Sequence, residues 1–110
     1  RGGFMSDRLV HLEGAGLFHD FELGDITVDY RNKRVVLQLK SPSLPMLVHE
    51  LKMFGVQRVQ AGMEEPWGKG IYVVETAIEQ EGSTRSMEMQ LNSGDLVTAI
   101  FERAEFDSAK

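Results

Sequence analysis

The residues most capable of chemistry in this chain are a histidine–aspartate pair and two neighbouring glutamates. His19 and Asp20 lie inside an apolar cluster, and Glu64 and Glu65 closely precede the only tryptophan, Trp67. A histidine beside carboxylates can act in acid–base catalysis or bind a metal ion. One hypothesis is therefore a metal-dependent or acid–base enzyme that uses His19, Asp20 and Glu65.

Other features of the sequence weigh against that enzyme. Adjacent residues of an extended chain point to opposite faces, so we expect that His19 and Asp20 do not orient each other. A structural histidine beside an aspartate that caps a turn is the simpler interpretation. The chain contains no cysteine, and it has no nucleophile elbow or zinc-protease motif. We therefore expect no catalytic residues, no metal site and no cofactor.

Trp67 lies in the longest predicted loop, residues 62–70. Its indole could be a platform that stacks on a ligand or on a partner side chain, or it could fold back as a plug over one end of a sheet. We expect the plug, because exposure of so large an apolar surface is unfavourable. Gly68-Lys69-Gly70 is not predicted to bind phosphate, because Lys69 is followed by a strand and not by Ser or Thr and a helix.

Three β-strands joined by two turns are predicted after this loop. Residues 71–78 are rich in β-branched and aromatic side chains, residues 84–91 alternate between an apolar and a polar face, and residues 96–106 follow. Glu81-Gly82-Ser83 and Asn92-Ser93-Gly94-Asp95 supply turn residues between the strands. Period-two alternation with such turns predicts an antiparallel three-strand meander.

The first half of the chain is also predicted to form strands. Residues 26–40 alternate and form a predicted hairpin with its turn at Asn32, a residue that tolerates the left-handed conformation. Residues 48–60 are predicted to be one long bent strand with a bulge at Gly55. A short helix carrying one apolar face over residues 44–51 is the alternative for that segment.

Composition and charge narrow the class of protein. A chain of 110 residues is one domain, and its net charge of −5 disfavours nucleic acid and anionic membrane surfaces as partners. The basic run Arg31-Asn32-Lys33-Arg34 is expected to be a solvated turn. The absence of cysteine suits the reducing cytoplasm. Residues 1–4 precede a natural start at Met5 and are interpreted as a cloning remnant, which leaves a single β domain at residues 5–110.

These elements predict an all-β domain of about seven antiparallel strands, arranged as a sandwich or a bent roll. Three short motifs then resemble a known pattern: Phe18-His19-Asp20 leading into Leu23-x-x-Ile26-x-Val28, Glu65-Pro66-Trp67-Gly68 before a strand, and Ser93-Gly94-Asp95 before the last strand. The combination resembles a loose group of small, uncharacterised bacterial β-rich domains. Some of these resemble immunity proteins, which neutralise a toxin made by the same or a competing strain. The resemblance implies a β fold, a bacterial origin and a protein partner.

The leading prediction is a non-enzymatic protein-interaction module, immunity-like in its sharper form. The alternative is a small-molecule binder with a pocket between the sheets near Trp67, Tyr72 and His19. An unpaired strand edge could also pair with a second copy of the chain. The residues predicted to contact a partner or ligand are Trp67, Glu65, Lys69, Tyr72, His19 and Asp20.

Overall fold

The computed structural model describes residues 18–109, with the side chains of Pro45 and of residues 107–109 left undescribed. The predicted remnant at residues 1–4 and the predicted domain start at Met5 lie outside this range. The described part of the chain is all-β and contains no helix, so it has none that could cross a membrane.

Within residues 18–109, eight strands form two four-stranded antiparallel sheets. The strands are β1 (Glu22–Asp29), β2 (Arg34–Ser41), β3 (Leu44–Phe54), β4 (Arg58–Ala61), β5 (Val73–Glu81), β6 (Thr84–Leu91), β7 (Leu96–Phe101) and β8 (Arg103–Ala109). The order in one sheet is β1-β2-β3-β8 and in the other β4-β7-β6-β5. The predicted fold class, a β-sandwich or bent roll, is confirmed.

The core lies between the sheets, and β6 shows how the sequence builds it. Alternate residues of β6 face inward and are buried, namely Arg85, Met87, Met89 and Leu91. They belong to one core cluster with the inward side chains of β2, β3 and β7, which include Leu37, Leu39, Leu51, Met53 and Phe101. Arg85 faces inward like the apolar residues of β6 despite its charge. Its Nε and Nη1 have no hydrogen-bond partner among residues 18–109.

A corner at Gly55 carries two strands from one sheet into the other. β3 leaves the first sheet at Phe54 and continues as β4 in the second sheet, while β7 continues as β8 in the opposite direction. Gln57 donates to the Ile100 carbonyl at 2.8 Å, and Glu102 donates to the Phe54 carbonyl at 2.9 Å. Gly55 has a φ of 64° there. The single bent strand predicted at residues 48–60 with a bulge at Gly55 is wrong, because the chain leaves one sheet at Phe54 and enters the other at Arg58 as a separate strand.

The alternative of a short helix at residues 44–51 is wrong. That segment belongs to β3, which is hydrogen-bonded to β2 on one side and to β8 on the other. Two ladders of long-range backbone hydrogen bonds outweigh the weak local preference that the apolar spacing suggested.

The predicted meander is present as β5-β6-β7, but the strand predicted at residues 96–106 is two strands. The chain breaks at Glu102, and the buried positions shift there from odd numbers (Val97, Ala99, Phe101) to even ones (Ala104). This phase shift marks the change of sheet. It is one reason why the count is eight strands and not seven.

A second junction joins β1 to the start of β5. Leu23 donates to the Ile71 carbonyl at 3.0 Å, Val73 donates to the Phe21 carbonyl at 2.8 Å, and Glu22 forms an isolated bridge with Tyr72. The sheets are therefore connected at both corners. This junction places the segment of His19 and Asp20 beside the end of the loop that carries Trp67.

Candidate interaction site at the Trp67 loop

The loop that carries Trp67 is attached to the β6–β7 turn by the carboxylate of Asp95. Its Oδ1 accepts a hydrogen bond from the Glu64 amide at 3.0 Å, and its Oδ2 accepts from the Glu65 amide at 2.9 Å. The Ser93 hydroxyl donates to Oδ2 at 2.8 Å. Asp95 is 7% exposed and Ser93 is fully buried. A buried carboxylate with three donors is satisfied, and it holds the loop backbone in one place.

The electrostatics of Asp95 reflect these contacts. Burial raises the pKa of the Asp95 carboxyl, but the hydrogen bonds from Ser93 and from the two loop amides outweigh it and hold the pKa below its ordinary value. Asp95 is therefore a stable anion at neutral pH, and its charge is used within the fold.

Asn92 attaches the second half of the same loop. Its Oδ1 accepts from the amides of Ile71 and Tyr72 at 2.7 and 2.8 Å, and its Nδ2 donates to the Lys69 carbonyl at 3.0 Å. The loop also braces itself, because the Gly70 amide donates to Glu65 Oε2 at 2.7 Å. Side chains of one turn thus replace the strand pairing that the loop lacks.

Trp67 packs against the β6–β7 turn. Its amide donates to the Ser93 carbonyl at 3.0 Å, and one face of the indole lies against Gly94. A Cβ at Gly94 would lie 2.8 Å from Cδ2 of the indole, so only glycine permits this approach. The rest of the ring is open, since Trp67 is 71% exposed. The expectation of a buried plug is wrong, because most of the indole surface is exposed.

His19 and Asp20 do contact each other, contrary to the expectation from an extended chain. They lie in a turn at residues 18–20, where Phe18 and Asp20 both have positive φ, and not in a strand. His19 Nε2 is 3.5 Å from Asp20 Oδ1, and Nδ1 is 2.8 Å from the Val74 carbonyl. A carbonyl oxygen only accepts, so Nδ1 carries the proton. The hydrogen bond to the Val74 carbonyl fixes the orientation of the imidazole, and both side chains of the pair are more than half exposed.

The structure brings the six predicted contact residues onto two neighbouring segments. Glu65, Trp67, Lys69 and Tyr72 lie along the loop and its end, and His19 and Asp20 lie beside Val73 and Val74. Within residues 18–109 no group of three or more His, Asp and Glu side chains could hold a metal ion. Four concave regions have volumes of about 310, 530, 180 and 630 Å³, and Trp67, Tyr72 and His19 line none of these four.

The residues that hold the Trp67 loop in place were not predicted from the sequence. Asn92, Ser93 and Asp95 were interpreted as turn residues only. The side chains of Asn92 and Asp95 accept from backbone amides about twenty to thirty residues away, and the Ser93 hydroxyl supports the Asp95 carboxylate. A cluster of Asn, Ser and Asp in a four-residue turn was the available signal, but such residues usually bond their own turn.

Comparison with known proteins yields a structural likeness only. No protein-family model and no curated protein matches the sequence. The fold is similar to the crystal structure of an uncharacterized protein from Neisseria gonorrhoeae, with a TM-score of 0.60 and 11% sequence identity. The match covers 81% of this chain and 91% of that one. At this identity the likeness shows a shared fold, which agrees with the all-β architecture.

Proposed function

We propose that this protein is a non-enzymatic interaction module and that the Trp67 loop is its contact surface for a protein partner. The observation that carries the proposal is a tryptophan held 71% exposed on a loop whose backbone is fixed by buried Asp95 and by Asn92. Tryptophan is among the residues most enriched at the energetic centres of interfaces. A loop fixed before binding loses little conformational entropy on association.

The surroundings of Trp67 suit a protein surface better than a small ligand. Met63, in the same loop, is 79% exposed, and Leu96 is 42% exposed. An open groove of about 630 Å³ runs beside the loop and is lined in part by Gln60, Glu64, Pro66 and Leu96. The exposed indole can insert into the surface of a partner, and the open groove beside it can accept a side chain of that partner.

Charge favours a basic partner. The protein has a net charge of −5, and Glu64 and Glu65 are exposed next to Trp67. An acidic rim increases the association rate with a basic protein, and salt screens this effect. An immunity-like role against a basic toxin, in a bacterial cytoplasm, is the sharper form of the proposal.

A second copy of the chain is a less suitable partner. One of the two edge strands of the second sheet is β5, whose exposed residues include Glu75, Glu79 and Glu81. Like charges placed opposite each other destabilise a strand pair, so this edge resists pairing with itself.

The test is capture from a lysate of the source organism with immobilised wild-type protein and Trp67→Ala as baits, followed by titration of the purified partner. We expect Trp67→Ala to weaken binding by about 30-fold or more, the effect of removing a hot spot of ~2 kcal/mol. Tyr30→Ala is the matched control, because Tyr30 is an aromatic residue that is 80% exposed in another turn.

The single tryptophan is also a direct reporter. Partner binding should shift the Trp67 emission to shorter wavelength, since the indole leaves water. A partner that binds Trp67→Ala as tightly as wild type, with no change of emission in the wild-type complex, would contradict the assignment of this surface.

A further inference from the structure

The side of the sandwich between β1 and β4 is open. These two strands are edges of different sheets and do not pair with each other within residues 18–109. Two cavities of about 530 and 180 Å³ lie between them, the larger lined in part by Val28 and Val59 and the smaller by Ile26 and Ala61. Ile26, Val59 and Ala61 pack against the core and are only partly buried. The space beside β4 is therefore bordered by apolar side chains of both strands.

The backbone of β4 has a paired side and a free side. The Gly62 amide donates to the Leu96 carbonyl at 2.9 Å, in register with the ladder of β4 and β7. In an antiparallel pair every second residue exchanges hydrogen bonds with the neighbouring strand, and the residues between them direct N–H and C=O to the opposite side. Gln60 therefore bonds to β7, whereas Val59 and Ala61 direct their backbone groups toward the open side.

The free backbone groups of β4 match an extended polypeptide. Val59 and Ala61 present two N–H donors and two carbonyl acceptors, and these bond to no residue in the range 18–109. The two residues are separated by about 7 Å along the strand. A second extended chain offers the complementary groups at the same spacing, so it can satisfy all four. A small ligand has no such repeat.

Two other edge strands are protected from such pairing, and β4 is not. The ladder of β1 shifts register between Leu23 and Ile26, and β5 exposes its three glutamates. Bulges and charges on an edge are common means of preventing addition of another strand. The ladder of β4 with β7 is regular, and its one charged residue, Arg58, lies on the outer face of the sheet.

We propose that the free edge of β4 binds an extended segment of a partner protein as an additional antiparallel strand. The side chains of this segment opposite Val59 and Ala61 enter the space beside β1 and are apolar. The side chain opposite Arg58 lies on the outer face and is acidic, because the guanidinium forms no ion pair in the part of the chain described. From its N-terminus the segment therefore reads apolar, any residue, apolar, acidic.

The test is a titration, to millimolar concentrations, with the acetylated and amidated hexapeptide Thr-Val-Thr-Val-Glu-Thr, followed in the backbone amide NMR spectrum. We expect the largest shifts at the amides of Val59 and Ala61, and slower hydrogen exchange at both. The control peptide carries N-methyl groups on its two valines, which keeps the side chains but removes two donors. It should bind at least about tenfold more weakly, because two backbone hydrogen bonds are lost.

Two variants of the protein separate backbone pairing from charge. Ala61→Pro removes a free N–H and should weaken peptide binding by about tenfold without unfolding the protein, since proline is tolerated where an edge N–H has no partner. Arg58→Glu should weaken binding by about threefold and should favour the peptide with lysine in place of glutamate. Lys40→Gln is the control and should bind like the wild type. The dispersed amide spectrum shows whether each variant is folded.

Four results would overturn the proposal. These are absence of shifts at the β4 edge, equal affinity for the N-methylated peptide, wild-type affinity in folded Ala61→Pro, or a dimer of the protein alone that shifts the same amides with concentration. The last result would assign the edge to a second copy of the chain. Because the readout is the β4 edge itself, these results are independent of whether the Trp67 loop binds a protein.

Discussion

The Trp67 loop and the corner at Gly55 are both irregular segments, but they are held by different means. The loop depends on polar side chains, since Asp95 and Asn92 bond five of its backbone groups. The corner depends on backbone-to-backbone hydrogen bonds and on a residue that adopts a positive φ. We therefore expect a single polar substitution to disrupt the loop, whereas the stability of the corner should depend mainly on its glycine.

The largest effect is expected at Asp95. Asp95→Asn replaces one acceptor oxygen by a donor that faces backbone N–H groups, so we expect the melting temperature to fall by several degrees. Hydrogen exchange at the Glu64 and Glu65 amides should accelerate far more than exchange in β6. Glu64→Gln removes the same charge from an exposed side chain of the loop and is the matched control. Equal stability of the two variants would show that the side chain of Asp95 does not hold the loop.

Acid should loosen the same attachment. Because the pKa of Asp95 is lower in the fold than its ordinary value of 3.8, its contribution to stability is complete above about pH 3.8 and is lost as the pH falls through the folded pKa. The free energy of unfolding of the wild type, measured with denaturant, should therefore decrease toward pH 3. The decrease should be smaller for Asp95→Asn. Parallel pH profiles for the two proteins would contradict this.

A smaller effect is expected at the corner. Gly55→Ala forces an L-residue into the left-handed region, which costs about 1–2 kcal/mol, and its Cβ would lie 2.6 Å from Oε1 of Glu102. Gly82→Ala is the matched control, because Gly82 has a φ of 63° with no other atom within 4 Å of the new Cβ. Denaturant unfolding should show a greater loss for Gly55→Ala than for Gly82→Ala.

Removal of the Glu102 side chain separates the two causes of the Gly55→Ala loss, which are backbone strain and the contact with Glu102. In a Glu102→Ala background the Gly55→Ala loss should shrink to the Gly82→Ala value, because only the backbone strain remains. If Gly55→Ala left the free energy of unfolding unchanged, the corner would not require a glycine.

The smallest effect is expected at Asp29, the other carboxylate with a lowered pKa. Hydrogen bonds from the Asn32 side chain and amide lower the pKa of Asp29, and Arg34 adds to this against the opposing effect of burial. Asp29 is the last residue of β1 and its side chain is 30% exposed, so Asp29→Asn should change the melting temperature at pH 7 by much less than Asp95→Asn. Asp25→Asn, with the same change of charge, is the control. A loss as large as that of Asp95→Asn would remove the distinction between the two regions.

The same contrast explains which parts of the site could be predicted. Trp67, Glu65 and Lys69 could be placed in one loop and predicted as contact residues because residue type and glycine neighbours are visible in the sequence. The exposure of Trp67 was not predicted, because it depends on contact with Gly94, which lies 27 positions later in the chain. The His19–Asp20 contact was missed because the chain was assumed to be extended there, while the positive φ of Asp20 forms a turn.

The sequence by itself determined the all-β class, the inward faces of the strands and the positions of most turns. These properties are local, since period-two alternation reports which face of a strand is buried wherever its partner lies. Contacts between distant parts of the chain specify which strands share a sheet, where the chain changes sheet at Gly55 and Glu102, and that Trp67 is exposed. These outcomes depend on hydrogen bonds and packing between residues distant in sequence, which no local pattern encodes.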